Sequence, residues 1–237
     1  MSTPLLQVSG LNAYYGASHV LHDLDFKVQA GQTVGLMGRN GMGKSTLLKS
    51  ITGLLKPRSG RIEFQNTAIH GKTPYDIAWL GMAYVPEGRG IFGTLSVHEN
   101  LVMSARAGVR GQQDWTYQRV LDTFPRLGER LQHGGQQLSG GEQQMLTVAR
   151  TLMGNPDAVL LDEPSEGLAP VILELMAEAV LSMKREGIAV LLSEQNFDFA
   201  AAVADRAYII ERGEIRYDGS MAALEADPAL RAQHLTL

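Results

Sequence analysis

The sequence predicts an α/β fold with a parallel sheet at its centre, antiparallel strands near its N-terminus and a helical insert. Three observations carry this reading. The run "AVLLDEP" at 158–164 is nearly repeated as "AVLLSEQN" at 189–196. The stretch between them, "PVILELMAEAVLSMKREG", places Ile172, Leu175, Met176, Ala179, Val180 and Met183 at alternating steps of three and one, which is one face of a helix. A further apolar run, "TVGLM" at 33–37, leads into a glycine-rich loop and a second helix. Strand, helix, strand is a βαβ unit, and parallel strands covered on both faces read as continuous apolar runs.

The elements follow in chain order. "LLQVSGLNAYYG…HDLDFKV" alternates and carries turn residues, which predicts antiparallel strands at one edge. "TVGLM" and its loop "GRNGMGKST" come next, and "MAYVP" at 82–86 reads as another strand. Residues from about 96 to 135 read as mostly helical with no strong strand, giving a helical insert of about 96–145 within the core. Pro170 suits the first turn of the helix between the AVLL runs, and Gly187 suits its C-terminal stop. "RAYIIERGEIRYDG" predicts a hairpin turned at Arg212-Gly213, and "MAALEADPALRAQHL" predicts short helices. With no repeat and no low-complexity tract, residues 1–237 read as a single domain.

Composition narrows the class. Hydrophobic residues make up 44% and charged residues 19%, the balance of a globular chain with a real core. The net charge of −4 lacks the basic footprint of a nucleic-acid binder, so no nucleic-acid partner is expected. Cysteine is absent, which excludes disulfides and cysteine-based metal sites and fits a reducing compartment. The N-terminal "MSTPLLQVSGLN" lacks the build of a signal peptide, and no apolar run approaches the roughly 18–20 residues of a membrane span. A soluble, cytoplasmic protein is expected.

The chemistry gathers at the strand ends. Ligands of parallel α/β sheets collect at the carboxyl ends of the strands, so the polar clusters after both AVLL runs are expected on one rim. "GRNGMGKST" at 38–46 fits the phosphate-loop pattern in the required context, after a strand and opening a helix. Gly38, Gly41 and Gly43 let the backbone turn tightly, and the amides from Arg39, Asn40 and Met42 through Thr46 face an anion. Lys44 reaches the β- and γ-phosphates, and the Ser45 hydroxyl ligates Mg²⁺. Asp162, at the end of its strand, is the natural carboxylate for that Mg²⁺. Glu163, one residue on, faces the γ-phosphate side and serves as catalytic base for the attacking water. The fold class is therefore an α/β P-loop NTPase core, with ATP and Mg²⁺ as its expected ligands.

"LSGGEQQ" at 138–144, taken with the phosphate loop and "LLDEP" in this order, resembles the signature of ABC-type ATPases over essentially the whole chain. The resemblance implies a two-fold dimer with two ATP molecules in its interface. Ser139, Gly140, Gly141 and Glu142 would then present a helix start to the γ-phosphate held by the other subunit. Tyr15 matches the aromatic that stacks on adenine, with Tyr14 as the alternative. "PSEGLAP" at 164–170 resembles the loop that touches the second subunit, although Gly167 and Leu168 replace the commoner Leu-Asp.

Two departures are informative. Glu87 stands where many members have a Gln that reaches Mg²⁺, and Gln195 stands where many have a His that contacts the γ-phosphate. Gln195 donates an amide N–H but does not titrate near neutral pH. Ile91 and Phe92 fall in the loop that couples to a membrane subunit in this family. The combination "VPEGR", "LLDEPSEGLAP" and "LLSEQN" is similar to the ATPase subunits of importers for branched-chain amino acids, and of related urea and amide importers. That implies integral membrane permease subunits, a second ATPase subunit (identical or related), an extracytoplasmic solute-binding protein reached indirectly, and a peripheral place on the cytoplasmic face of the membrane. The competing expectations are a soluble, non-transport ABC ATPase and a non-hydrolysing ATP-gated clamp.

Overall fold

The structure is a computed structural model that describes residues 3–235. The expected domain limits at 1 and 237 lie outside the described residues. The chain opens with a long antiparallel pair, β1 (Leu6–Tyr15) and β2 (Ser18–Val28), then β3 (Thr33–Met37) and α1 (Lys44–Ile51). Next come β4 (Ser59–Phe64), β5 (Thr67–Ala68), α2 (Pro74–Trp79) and β6 (Met82–Val85). Short helices follow: α3 (Val97–Val102), α4 (Tyr117–Thr123), α5 (Pro125–Gly128) and the longer α6 (Gly140–Leu152). The remainder is β7 (Ala158–Asp162), α7 (Pro170–Arg185), β8 (Ala189–Glu194), α8 (Phe197–Val203), β9 (Arg206–Glu211), β10 (Glu214–Ser220), α9 (Met221–Glu225) and α10 (Pro228–His234).

Two sheets result. The main sheet has the order β10-β9-β3-β8-β7-β6 and is parallel except for β10, which closes the hairpin onto β9. The second sheet, β2-β1-β4-β5, is antiparallel. The N-terminal strands were expected at an edge of one sheet; instead they form a sheet of their own with β4 and β5, two strands that periodicity did not reveal. "SGRIEF" is short and mostly polar, so its only buried side chains, Ile62 and Phe64, give too weak an alternation.

The apolar runs divide between two cores. Val159, Leu161, Val190 and Leu192 face a cluster shared with α6, α7 and α8. Ala158, Leu160, Ala189 and Leu191 face a second cluster that includes α1 and the antiparallel sheet. Alternate side chains of one strand point to opposite faces, so each run must be apolar throughout. The helix face read from the sequence is buried at Ile172, Met176, Ala179, Val180 and Met183. Pro170 stands at its start, and Arg212 (φ 49°) with Gly213 (φ 80°) turns the β9–β10 hairpin as expected.

The stretch 96–135 is less helical than expected. Residues 103–116 between α3 and α4 run mostly as turns and irregular backbone. A polar hub replaces regular structure there. Asp157, 7% exposed, accepts from Gln65 Nε2 at 2.7 Å, Arg110 Nη2 at 2.8 Å and Gln112 Nε2 at 3.1 Å. Asn155 adds bonds to the Trp115 amide and the Arg106 carbonyl. Backbone groups that leave a helix need partners, and these side chains supply them.

Candidate functional site

The loop between β3 and α1 is shaped by what lies behind it. Gly38 has φ 155°, and a Cβ there would sit 2.5 Å from the Ile210 carbonyl oxygen. Gly43 has φ 111°, and a Cβ there would sit 2.8 Å from Leu21 Cδ2. Only glycine fits either position. The β9–β10 turn props the loop from the same side, because the Gly213 amide donates to the Met42 carbonyl at 3.0 Å. Arg39, Asn40 and Gly41 are exposed at the tip, and Thr46 is buried in the first turn of α1. No side chain caps α1, which leaves its first amides open to an anion.

Lys44 is buried, at 3% exposure. Its ammonium donates to the carbonyls of Gly38 at 2.6 Å and Arg39 at 3.1 Å, and pairs with Glu163 Oε1 at 3.0 Å. Glu163 sits just past β7 at φ 49°, a left-handed turn. Gln195 Nε2 donates to Glu163 Oε2 at 3.0 Å and to Asn40 Oδ1 at 2.7 Å. The structure thus brings the glycine-rich loop, Glu163 and Gln195 into one connected network.

Asp162 is 1% exposed and fully provided with donors. Its Oδ1 accepts from Ser45 Oγ at 3.0 Å and from Ser193 Oγ at 2.6 Å, and its Oδ2 accepts from Tyr84 Oη at 2.9 Å. Ser193 and Tyr84 had no place in the sequence reading. The signal for Ser193 was present, because the two AVLL runs pair residue for residue and set Asp162 opposite Ser193. The signal for Tyr84 was absent, since an aromatic inside a short apolar strand reads as packing. Burial, then the charge of Asp162, pushes the Tyr84 hydroxyl far above its ordinary value and keeps it a donor.

Glu87 lines a cleft of about 850 Å³ together with Asp162, Tyr84, Lys49, Glu166 and Gln143. Its carboxyl is pushed up by burial and by its acidic neighbours Glu166, Glu163 and Asp162, in that order. Ser45 and Asp162 present adjacent oxygens, which is the chemistry Mg²⁺ selects. Among the described residues no cluster of three or more His, Cys, Asp or Glu makes a self-contained metal cage. A Mg²⁺ ion at this pair would need its remaining ligands from phosphate oxygens and water.

Other sequence-derived candidates lie apart from this network. Ser139 caps α6 and forms a closed box with Glu142: its amide and hydroxyl both donate to Glu142 Oε2, at 2.8 Å and 2.7 Å. The Ser139 hydroxyl, foremost among several causes, holds the Glu142 carboxyl below its ordinary value. Gly140 and Gly141 form the first turn. Tyr15 is 49% exposed at the end of β1, whereas Tyr14 stacks on His19 and lies under Arg58. Ile91 packs against the core, and Phe92 is 46% exposed beneath the Arg150 guanidinium.

Glu194 was also missed. It is buried at 2% exposure and accepts from the Ser165 amide (3.0 Å), the Ser165 hydroxyl (2.8 Å) and the amides of Gln195 and Asn196 (both 3.2 Å). Its place in "SEQN" is that of a polar rim residue, and nothing in the sequence marks its partner in the 164–170 loop.

Comparison with known proteins agrees with this geometry. The family description "ABC transporter" matches residues 21–166. The chain is 41% identical over 231 residues to the high-affinity branched-chain amino acid transport ATP-binding protein BraG of Pseudomonas aeruginosa, covering 98% of this chain and 99% of that one. It is 34% identical to the probable branched-chain amino acid transport ATP-binding protein LivF of Archaeoglobus fulgidus, covering 91% and 92%. Its fold superposes on the ADP conformation of an ATP-binding cassette of an ABC transporter with TM-score 0.81 and 25% identity, over 97% of both chains. The matched family and the relatives that run nearly the full length agree on one class: the chain belongs to the ABC transporter family, as an energy-coupling ATPase.

Proposed function

We propose that this chain is the ATP-hydrolysing subunit of a membrane importer for branched-chain amino acids or related small solutes such as urea and amides. The observation that carries the mechanism is the joining of Lys44, Glu163, Gln195 and Asn40 in one network beside Asp162 and Ser45. The solute class rests on the likeness to BraG and LivF across nearly the full length of each.

The roles follow from the chemistry of each side chain. The amides of Gly38–Thr46 and the Lys44 ammonium hold the β- and γ-phosphates. Ser45 and Asp162 would hold Mg²⁺, with Glu87 at the edge of the same cleft; the ion supplies charge neutralisation on the phosphates. Glu163 orients the attacking water and takes its proton, and ATP and water leave as ADP and phosphate. Gln195 keeps Glu163 aligned with one N–H and, as a neutral group, turns the other from Asn40 to the γ-phosphate. Tyr15, exposed at its strand end, offers a face to adenine.

A second ATPase subunit, identical or related, completes the site. Ser139 spends its hydrogen bonds inside its own helix start, which leaves Gly140 and Gly141 to meet a phosphate held across a dimer interface. The permease contact is supported by a groove of about 500 Å³ that includes Leu54, Ile77, Met82 and Met103, with Leu54 and Met103 more than half exposed. Exposed apolar surface of this kind marks a docking face. Among the described residues no helix is long and apolar enough to cross a membrane, so the chain would reach it through those permeases, on the cytoplasmic face, with a solute-binding protein on the far side.

The test uses Glu163→Gln in the complex with its co-purified permeases, in sealed vesicles. Phosphate release is expected to fall by about 100-fold or more, ATP binding to persist, and ATP-driven uptake of leucine or valine to stop. Undiminished phosphate release would remove Glu163 as the base. ATP-driven efflux in the native complex would overturn the importer reading.

A further inference from the structure

We propose that Tyr84 is the positioning residue for the Asp162 carboxylate, fixing the oxygen pair that receives Mg²⁺. The inference rests on the reading of Asp162 as the metal carboxylate.

Asp162 is held from both sides of its strand. From β8, Ser193 stands directly opposite and bonds Oδ1 at 2.6 Å. From β6, no residue stands opposite Asp162, because the pairing ends at Val85↔Leu161. Tyr84 pairs with Leu160, two residues earlier. Tyr84, Leu160 and Asp162 therefore share one face of the sheet, the face that packs on α1 and carries Ser45. Two residues along a strand amount to about 6.6 Å, a gap that a serine or threonine does not close and a phenol does. The hydroxyl arrives on Oδ2 at 2.9 Å.

The consequence is orientational. A carboxylate held only at Oδ1 rests on two serine hydroxyls, which themselves rotate and let it swing with them. With Oδ2 tied to Tyr84, Oδ1 stays turned to Ser45 Oγ, 3.0 Å away. Mg²⁺ demands near-ideal octahedral geometry and tolerates little wandering of its ligands. A half-buried tyrosine is also stiff, with two side-chain torsions and a ring packed against its neighbours. Position, reach and stiffness all serve the carboxylate, and no other donor reaches Oδ2 among the described residues.

The test is nucleotide binding by the full chain, read by calorimetry across a Mg²⁺ titration and again in EDTA. Tyr84→Phe keeps the ring and removes only the hydroxyl. It is expected to raise the half-saturating Mg²⁺ concentration about tenfold, while binding in EDTA stays unchanged. Tyr84→Leu is expected to show at least the same loss. A Phe variant with the native Mg²⁺ requirement, or with equal weakening with and without Mg²⁺, overturns the inference, since ring packing alone would then account for the residue. Asp162→Asn serves as control. If it too keeps the native requirement, the metal reading of Asp162 falls and takes the inference with it.

Discussion

Gln195 reaches two groups with one nitrogen, Asn40 at 2.7 Å and Glu163 at 3.0 Å. A neutral amide does this at any pH, whereas an imidazole in the same place changes charge near pH 6.5. Beside Glu163, a histidine would hold its proton more tightly still, and the resulting ion pair would tie up the carboxylate. Gln195→His is therefore expected to lose ATPase activity as pH falls through a value above about 6.5, a limb that the native profile lacks. Steady-state rates across pH decide the matter; superimposable profiles would place Gln195 away from the reacting phosphate. The buried pair of Lys44 and Glu163 belongs to the same scale. In the proposed mechanism an incoming phosphate would compete with Glu163 for the ammonium, so the loop and Glu163 would respond to one ligand together.

The loop after β7 and the end of β8 are joined as elements through Glu194. Its carboxylate gathers the Ser165 amide and hydroxyl and the amides of Gln195 and Asn196. Burial raises its pKa above the ordinary 4.5, despite the hydrogen bonds that favour ionisation. The folded chain thus binds this proton more tightly than the unfolded chain. Stability from the group is fullest below the ordinary value and is lost as pH rises through the raised one. Glu194→Gln removes that titration. Its thermal midpoint is expected to decline less with pH than the native midpoint, in the window opening at 4.5 and running upward. Parallel curves would show that folding leaves Glu194 unshifted. The elements on either side were legible because period and punctuation agreed: an apolar run, a 3.6-residue face, Pro170 at the start. The phosphate loop was legible because its glycines, lysine and serine fall in one short run of sequence after a strand. Glu194 and Tyr84 were not, because their roles depend on which strand or loop lies beside which, and that is decided by the whole sheet. The strands β4 and β5 escaped for the opposite reason, being too short and too polar to show a period.

At the scale of the molecule, Asp157 fastens two distant segments, Gln65 from the β4–β5 turn and Arg110 and Gln112 from the irregular stretch 103–116, onto the start of β7. Asp157→Ala leaves those donors without their acceptor. It is expected to lower unfolding free energy by about 1–3 kcal/mol, and to open Arg106 and Arg110 to trypsin. Urea melts and limited proteolysis check both, and an unchanged midpoint would show the hub to be dispensable. The pairing of the two AVLL runs carries a different lesson. Both strands are apolar on both faces, so a slip in their alignment would hide as much oil as the native register and go unpunished by water. What makes the slip detectable is the rim, where Asp162 meets Ser193 in the correct register and would face Leu192 or Glu194 in one shifted by a residue. The polar ends thus proofread the sheet: the Asp162 carboxylate is also the spelling check of the fold.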